Sequence, residues 1–194
     1  MCGRYYFDLH KVSKDSFLYQ SLKVNDIDDF AQDEVTPNST VLAIIQKECK
    51  LHLKLLKWGV NNTYGQQINA RIEGIRQRPY YKSMIDNRCL IPCHGFYEWK
   101  GKQKYCMQLP KESMFYFAGI YNEQNECLIL TKDAYDSIKP IHHRSPIVVE
   151  ESRINEFFDN PLSAFCEKQD FTIKKIENEP KHIMQFSLFD EDLL

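Results

Sequence analysis

The chain has 194 residues, of which 43% are hydrophobic and 27% are charged, the composition of an ordinary globular protein long enough for one domain. Its 25 basic and 27 acidic side chains give a formal net charge of −2, which argues against a protein that coats nucleic acid through bulk positive charge. No apolar run approaches the ~18 residues of a membrane-spanning helix, which argues against a membrane-embedded protein.

Short strands dominate the predicted elements, and helices are few. In chain order we predict a strand-like start at Cys2–Phe7, a helix near Asp15–Leu22, an acidic loop at Asn25–Glu34, strands at Thr40–Ile45 and Leu51–Val60, a short helix at Pro79–Ile85, a series of strands within Arg88–Lys100, Lys104–Leu109, Met114–Tyr121 and Cys127–Thr131, a short apolar run at Pro146–Val149, a helix at Glu150–Phe158 and a last strand at Phe171–Ile176. Lys100-Gly101-Lys102 fits a hairpin turn. This pattern predicts an α+β fold in a single domain spanning residues 1–194, with a curved, barrel-like, mostly antiparallel β-sheet core and flanking short helices.

The small net charge conceals an uneven distribution. Residues 50–104 hold 11 basic and 3 acidic side chains, a local charge of +8, whereas residues 1–49 carry −3 and residues 105–194 carry −7. A solvated surface accounts for most segments of this kind. The alternative is a basic face that the acidic flanks mask in the average, which would suit a nucleic-acid partner.

The seven cysteines lie at positions 2, 49, 89, 93, 106, 127 and 166. An odd number, with no secretory signal visible at the start of the chain, predicts reduced thiols in a cytoplasmic protein. Cys89, Cys93 and His94 resemble a metal site more than any other cluster does. Tetrahedral zinc needs at least one further ligand, and no second cluster has suitable spacing, so we expect inert core thiols and no bound metal.

Cys2 has a chemistry that an internal cysteine lacks. A side chain as small as Cys at position 2 permits removal of Met1, which would leave Cys2 with a free α-amine beside its thiol. An α-amine ordinarily has a pKa of ~7.7–8.0, so it is partly neutral at pH 7 and can form an imine with an aldehyde. The thiol, with an ordinary pKa near ~8.5 and open to activation by its neighbours, can then add to the same carbon and close a five-membered thiazolidine ring.

This ring closure needs a group that carries protons, and Glu98 is the first candidate. In the run Gly95-Phe96-Tyr97-Glu98-Trp99, strand alternation places Phe96 and Glu98 on one face and Tyr97 and Trp99 on the other. A carboxyl desolvated among aromatic rings would have a raised pKa, which suits proton transfer. The alternative is an edge-strand glutamate exposed to water.

Three further residues suit supporting roles. His142, followed by His143, can carry a proton near neutral pH, although a loop histidine in water is the plainer interpretation. Asn69 offers an amide that can hold a ligand, and Arg71 offers a guanidinium for a phosphate. An asparagine at a turn is the plainer interpretation of Asn69.

An ordered set of short motifs runs through residues 1–149. The motifs are Met1-Cys2-Gly3-Arg4, Trp58-Gly59, Asn69-Ala70-Arg71, Gly95-Phe96-Tyr97-Glu98-Trp99, Phe117-Ala118-Gly119-Ile120, Leu130-Thr131 and Ile141-His142-His143-Arg144-Ser145-Pro146. In order and spacing this set resembles the SRAP family (SOS response-associated peptidase domain). The family's fold, a curved β-sheet core with flanking helices, is consistent with the predicted elements, and residues 150–194 would add a C-terminal helix and the last strand.

The resemblance implies a protein of the DNA damage and SOS response that senses abasic sites in single-stranded DNA. It would form a covalent thiazolidine crosslink to the ring-opened sugar aldehyde, without a cofactor. By position, the catalytic residues would be Cys2 as nucleophile, Asn69 holding the sugar, Glu98 assisting proton transfer beside the α-amine, and His142 aiding sugar ring opening and crosslink reversal. The DNA-binding residues would be Gly3, Arg4, Arg71, Thr131 and Arg144.

The expected partner is therefore single-stranded DNA with abasic sites, bound by a monomer in the cytoplasm or, in a bacterium, at the nucleoid. Replication proteins are conceivable further partners, and no membrane is expected. Two alternatives stay open. The first is a thiol peptidase or autopeptidase that uses Cys2, Glu98 and His142. The second is a noncatalytic binder of modified DNA.

The sequence departs from the family pattern in three places. Residues 60–67 hold Tyr64 as their single aromatic residue, where members usually carry a Pro- and Trp-containing stretch that wedges against bases. A weaker base stack is expected there, since stacking contributes ~1–3 kcal/mol per base. Asp33-Glu34-Val35-Thr36-Pro37 stands where a Tyr-Asn pair often precedes the early Pro, and Ser145 stands where Met or Arg is commoner.

Overall fold

The computed structural model of the protein describes residues 2–63, 65–167 and 169–177. The strands in this part of the chain are β1 (Tyr5–Phe7), β2 (Asp33–Val35), β3 (Thr40–Lys47), β4 (Lys50–Trp58), β5 (Val60–Asn62), β6 (Gly65–Gln67), β7 (Asn69–Arg71), β8 (Arg88–Cys93), β9 (Gly95–Lys100), β10 (Gln103–Gln108), β11 (Phe115–Tyr121), β12 (Glu126–Asp133), β13 (Arg144–Pro146), β14 (Val148–Glu150) and β15 (Thr172–Lys175). The helices are α1 (Phe17–Asn25) and α2 (Ile154–Asp159), with 3₁₀ turns at Leu9–Lys11, Ile75–Gln77, Pro79–Tyr81, Pro110–Glu112, Glu151–Arg153 and Leu162–Phe165.

The larger sheet closes into a ring. Its strands follow the order β13-β12-β4-β3-β8-β11-β14, and β12 also pairs with β11, so that β12, β4, β3, β8 and β11 form a closed circuit. The pairings are antiparallel except those that β12 makes with β4 and with β7. The expected α+β fold with a curved, barrel-like, mostly antiparallel core is confirmed.

A second sheet, with strand order β15-β10-β9-β1-β2, packs beside the ring. The chain passes from the ring into this sheet at His94, which divides the predicted run Arg88–Lys100 into β8 and β9. The next residue must be small, because a Cβ at Gly95 would lie 2.9 Å from Cγ of Gln108 and 3.1 Å from the carbonyl oxygen of Met107. The predicted hairpin turn is confirmed, since Lys100 pairs with Gln103 across Gly101, whose φ is 61°.

Aromatic side chains fill the space between the two sheets. Tyr5 of β1 lies 5.5 Å from both the Trp58 and the Phe117 ring centroids, and Phe96 of β9 meets Phe117 at 5.8 Å. All four rings are at most 2% exposed. Edge-to-face and tilted contacts of this kind hold β1, and with it the start of the chain, firmly against the ring.

Several predicted boundaries were wrong by a few residues, for local reasons. The first helix begins at Phe17 rather than Asp15, because the hydroxyl of Ser16 caps it by accepting the Tyr19 amide at 3.2 Å. The predicted acidic loop contains β2, which pairs with β1 and brings Glu34 opposite Tyr6. Burial of its apolar face stabilises such a short strand, although its acidic residues disfavour one in isolation.

The helix predicted at Pro79–Ile85 is only one 3₁₀ turn, at Pro79–Tyr81, followed by turns. A helix this short does not recover its nucleation cost, and burial of Tyr81, Met84 and Ile85 stabilises the segment instead. The helix predicted at Glu150–Phe158 begins as a 3₁₀ turn and becomes α2. The last strand is confirmed as β15, whereas the predicted C-terminal extension beyond residue 177 lies outside the described residues. Within the described chain, no helix is long and apolar enough to span a bilayer.

Candidate active site

Cys2 lies just before β1 and is completely buried. Its carbonyl oxygen accepts a hydrogen bond of 2.8 Å from Nδ2 of Asn69, and its thiol lies 3.9 Å from the carbonyl oxygen of Arg4. Since β1 is held between β9 and β2, the position of Cys2 is set by the second sheet and by one side chain from the ring.

The thiol of Cys2 is less acidic than an ordinary cysteine thiol, whereas the sequence left it open to activation by its neighbours. Burial raises its pKa, and the negative charge of Glu98 raises it further. The neighbours of Cys2 therefore do not activate the resting thiol as a thiolate. It stays protonated at neutral pH and has to lose its proton during the reaction, so that a base must stand close by.

Glu98 is the candidate for that base. It lies on β9 opposite Tyr105 and is only 3% exposed, so the alternative of a water-exposed edge residue was wrong. The predicted alternation is confirmed, because Phe96 is buried with it while Trp99 is 38% exposed. Burial raises the pKa of Glu98, and the positive charges of the amino terminus and of His142 oppose that shift.

Asn69 lies in β7 rather than at a turn. This strand runs parallel to β12, with Asn69 opposite Ile129. One amide atom, Nδ2, holds Cys2, while the other, Oδ1, is buried and has no hydrogen-bond partner among the described residues. A buried acceptor of this kind is costly unless a ligand completes it.

His142 is held by its own turn. Its Nδ1 accepts a hydrogen bond of 3.0 Å from the backbone amide of Arg144, and its ring stacks on His143 with 4.5 Å between centroids. It is close enough to Glu98 for its charge to lower the pKa of that carboxyl, against the larger effect of burial. Cys2, Asn69, Glu98 and His142 thus share one site, although they come from four separate parts of the chain.

The residues predicted to bind DNA fall into two groups. Gly3, Arg4 and Arg71 are partly or fully exposed, and Arg4 donates a hydrogen bond to Glu34. Thr131 is completely buried, and its hydroxyl lies 3.4 Å from the carbonyl oxygen of Ala70, so the structure does not expose it at this surface.

Arg144 is also buried, at 4% exposure, and both terminal nitrogens of its guanidinium are occupied. Nη1 and Nη2 donate to the two carboxylate oxygens of Glu73 at 2.9 and 2.7 Å, and further bonds reach Asp133 at 2.7 Å and the Thr131 carbonyl at 2.9 Å. A phosphate would have to displace two carboxylates to reach it. The structure instead makes this arginine an anchor for the turn that carries His142.

We expect Arg144→Ala to lower the free energy of unfolding by about 2–3 kcal/mol, because it removes charge-assisted hydrogen bonds from a buried group. Chemical denaturation at neutral pH measures the change. Lys139→Ala is the control, because the Lys139–Asp136 pair is exposed and its loss should leave the midpoint unchanged. Equal midpoints for wild type and Arg144→Ala would contradict the anchoring role.

Sequence reasoning missed Glu73, Asp133 and Glu34 as partners of the motif arginines. A signal existed for Asp133, since strand alternation places it on the same face as Thr131, two residues before. Glu73 and Glu34 lie 71 and 30 residues from the arginines that they bind, and no local pattern announces them.

The cysteine cluster has no functional geometry. Cys89 and Cys93 are buried in β8, and the Cys93 thiol donates to the carbonyl oxygen of Gly95 at 3.1 Å. His94 stacks on Phe7 and accepts the Asp8 amide at 3.3 Å. Among the described residues, no three His, Cys, Asp or Glu side chains are grouped in a way that would hold a metal ion.

A cavity of about 540 Å³ lies beside the site and is lined by residues that include Lys132, Tyr135, His143 and Cys166. Cys2 and Glu98 do not line it. This cavity is therefore separate from the buried start of the chain where Cys2 lies.

Comparison with known proteins shows the family of this chain. The sequence profile of the family described as SOS response associated peptidase (SRAP) matches residues 1–186. The chain belongs to the SRAP family. Its similarity to the family therefore extends well past residue 149, where the segment that holds the motifs ends, and through both helices and β15.

Curated members of the SRAP family include three informative relatives. The abasic site processing protein YoaM of Bacillus subtilis (strain 168) is 29% identical over 187 residues, covering 82% of this chain and 79% of the relative. YoqW of the same organism, also named an abasic site processing protein, is 30% identical over 146 residues, 64% of this chain and 65% of the relative. The abasic site processing protein YedK of Escherichia coli (strain K12) is 26% identical over 186 residues, 84% of this chain and 82% of the relative.

Solved structures share the fold. A protein from Bacteroides thetaiotaomicron superposes with a TM-score of 0.65 at 18% identity, covering 91% of this chain and 93% of the other. A protein from Bordetella bronchiseptica gives the same TM-score at 13% identity, covering 91% of this chain and all of the other. At these identities the likeness shows that the fold is common to the three chains.

Proposed function

We propose that this SRAP protein senses abasic sites in single-stranded DNA and attaches to them covalently through Cys2. The names of its relatives point to abasic sites as the substrate class. The observation that carries the proposal is the burial of the Cys2 thiol, held in place by the Asn69 amide, in the same site as the buried carboxyl of Glu98. With Met1 removed, the amine of Cys2 would be added to the same site.

The first step is attack by the neutral α-amine of Cys2 on the aldehyde carbon of the ring-opened sugar. The C–N bond forms, the carbonyl oxygen takes a proton, and loss of water gives an imine. Glu98 would pass protons to and from these atoms, and its raised pKa favours the protonated, general-acid form more than in an ordinary glutamate.

The second step closes the ring. The thiol gives its proton to the carboxylate of Glu98, the sulfur adds to the imine carbon, and the imine nitrogen takes a proton. The product is a thiazolidine, and the one molecule released overall is water. Because burial raises the pKa of the Cys2 thiol, the reaction needs this proton transfer and does not begin from a free thiolate.

Asn69 and His142 complete the proposed machinery. The amide of Asn69 fixes the backbone of Cys2, and its buried Oδ1 would accept a hydrogen bond from a sugar hydroxyl. The imidazole of His142, oriented at Nδ1 by the Arg144 amide, would transfer protons when the sugar ring opens or the crosslink reverses. The exposed Arg4 and Arg71 would meet the flanking phosphates.

A denaturing gel tests this function. The pure protein is incubated with a single-stranded oligonucleotide that holds one abasic site, and we expect a heat-resistant band of reduced mobility. An oligonucleotide whose abasic sugar is reduced to the alcohol should give no such band, because it has no aldehyde. Absence of the band with the aldehyde substrate would overturn the proposal.

The proposed chemistry also requires removal of Met1. We expect the intact mass of the protein purified from cells to equal that of a chain beginning at Cys2, since an acylated amine cannot form the imine. Mass spectrometry measures this directly. Efficient crosslinking by protein that retains Met1 in full would rule out the α-amine of Cys2 as the attacking group.

A further inference from the structure

A patch on the outer surface of the second sheet lies close to Cys2, and of its residues only Arg4 has a part in the function proposed above. We call it the outer patch and define it by Arg4, Glu34, Tyr97, Trp99 and Lys104. Tyr97 and Trp99 point away from the buried face of β9, and Lys104 of β10 stands directly opposite Trp99 in the ladder. The patch therefore lies on the opposite face of β9 from Glu98.

Cations and aromatic rings alternate in the outer patch. Nζ of Lys104 lies 3.9 Å from the Tyr97 ring centroid and 5.7 Å from that of Trp99, and Cζ of Arg4 lies 5.9 Å from the Trp99 centroid. Trp99 is 38% exposed, an unusual exposure for so large an apolar side chain. Exposed rings flanked by cations are the elements with which proteins bind single-stranded nucleic acid.

Glu34 occupies the space between the two cations. Its carboxylate accepts hydrogen bonds from Arg4 and from Nζ of Lys104, the latter at 2.5 Å. The Arg4–Glu34 pair is partly exposed, with side-chain exposures of 42% and 37%, whereas Lys104 is 17% exposed. An exposed pair such as that with Arg4 is weak, so a second anion can compete with the carboxylate there.

We propose that the outer patch binds one nucleotide of the single strand that flanks the abasic site. The base stacks on Trp99, and its phosphate takes the place of Glu34 between Arg4 and Lys104. The inference rests on the proposed function, because that function brings a single strand to Cys2. Arg4 is two residues from Cys2, a span of at most about 7 Å, so the patch is within reach of a neighbouring nucleotide.

The surrounding charge suits an anionic ligand, and the exposed Trp99 ring favours a single strand over an acidic peptide or a duplex. Lys100 and Lys102 in the β9–β10 turn extend the positive surface beyond the patch. A duplex keeps its bases stacked on one another, whereas a single strand offers a free base face to Trp99. Glu34 then acts as an internal competitor that weakens binding of any strand that cannot also use the ring.

Tryptophan fluorescence tests the stacking. The chain has two tryptophans, of which Trp58 is buried with its indole N–H bonded to the carbonyl oxygen of Ile68, so Trp99 alone is open to a base. An unmodified thymidine oligomer should quench the emission of the wild type and leave that of Trp99→Phe unchanged. A duplex of the same length should quench little. Undiminished quenching in Trp99→Phe would overturn the stacking role.

Binding measurements test the competition. Glu34→Gln should bind the unmodified thymidine oligomer about three- to tenfold more tightly than the wild type in fluorescence anisotropy, with the difference shrinking as salt is added. Glu112→Gln is the matched control, since Glu112 also joins two lysines, Lys11 at 3.6 Å and Lys174 at 2.5 Å, away from the patch. Equal affinities for Glu34→Gln and Glu112→Gln would overturn the competition.

Trp99→Ala should weaken binding of the same oligomer by about fivefold to more than a hundredfold, the range for loss of one base stack. Phe17→Ala, with a ring 37% exposed on α1, should bind as the wild type does. If Trp99→Ala binds with wild-type affinity and crosslinks normally to the abasic oligonucleotide, the binding role of the outer patch is overturned and the proposed function stands. Weakened binding in Trp99→Ala, together with no crosslink in the wild type, would support the outer patch and overturn the proposed function.

Discussion

Cys2→Ala is expected to abolish the heat-resistant band that the wild type forms with an abasic single strand. The substitution removes the sulfur that closes the thiazolidine and leaves at most an imine, which water hydrolyses on denaturation. Cys2→Ser should retain little of the band, because a hydroxyl gives only the weaker oxazolidine. The measurement is the crosslinked fraction on a denaturing gel after heating.

Cys49→Ala is the matched control for that experiment. Its thiol is exposed and lies in the turn between β3 and β4, so its loss should leave the band unchanged. An undiminished band in Cys2→Ala, or loss of the band in Cys49→Ala, would contradict the assignment of the nucleophile.

The same proteins separate the two alternatives. A noncatalytic binder of modified DNA would retain its affinity in Cys2→Ala and would form no covalent product in the wild type. A thiol peptidase would remove residues placed before Cys2, in a reaction that depends on Cys2 and Glu98. Self-cleavage without any crosslink would favour the peptidase over the proposed function.

Glu98→Gln is expected to slow crosslinking by ~10²–10⁴-fold, the usual contribution of a positioned acid–base group. The amide keeps the shape of the side chain, but it cannot accept the proton of the Cys2 thiol. Since burial raises the pKa of that thiol, few molecules lose the proton without help. The rate is measured in single turnover with excess protein.

The pH dependence makes this prediction sharper. Burial raises the pKa of Glu98, so the carboxylate that acts as base forms at a higher pH than an ordinary glutamate. The wild-type rate should rise as pH increases through that shifted pKa, and Glu98→Gln should lose this limb while keeping the rise that comes from the α-amine. An unchanged pH profile in Glu98→Gln would show that another group carries the proton.

Stability provides the control for folding. A carboxyl whose pKa is raised on folding is favoured in its protonated form, so its contribution to stability is present at low pH and is lost as pH rises through the folded pKa. Glu98→Gln should therefore gain stability relative to the wild type as pH increases. A slow but stable variant would mark a chemical defect and not a misfolded protein.

Much of the candidate site was accessible from the sequence, because its chemistry resides in residue types. Only a cysteine at position 2 can present an amine and a thiol together once Met1 is gone. The alternation in Phe96-Tyr97-Glu98-Trp99 was enough to bury Glu98 and expose Trp99, since a strand turns successive side chains to opposite faces. The helix limits were less accessible, because capping by Ser16 and burial around Tyr81 decide them.

The sequence by itself determined the family and the strand-rich fold and suggested the thiol–amine chemistry proposed for Cys2, since these follow from motif order, local periodicity and covalent structure. Only the tertiary structure decided that Arg144 is bound by Glu73 and Asp133, that Glu34 lies between Arg4 and Lys104, and that burial suppresses the acidity of the thiol. The physical reason is that contacts between distant parts of the chain both bury Cys2 and bring the charged groups together. A long charged side chain can reach many partners, and which partner lies in reach depends on strands brought together from distant parts of the chain.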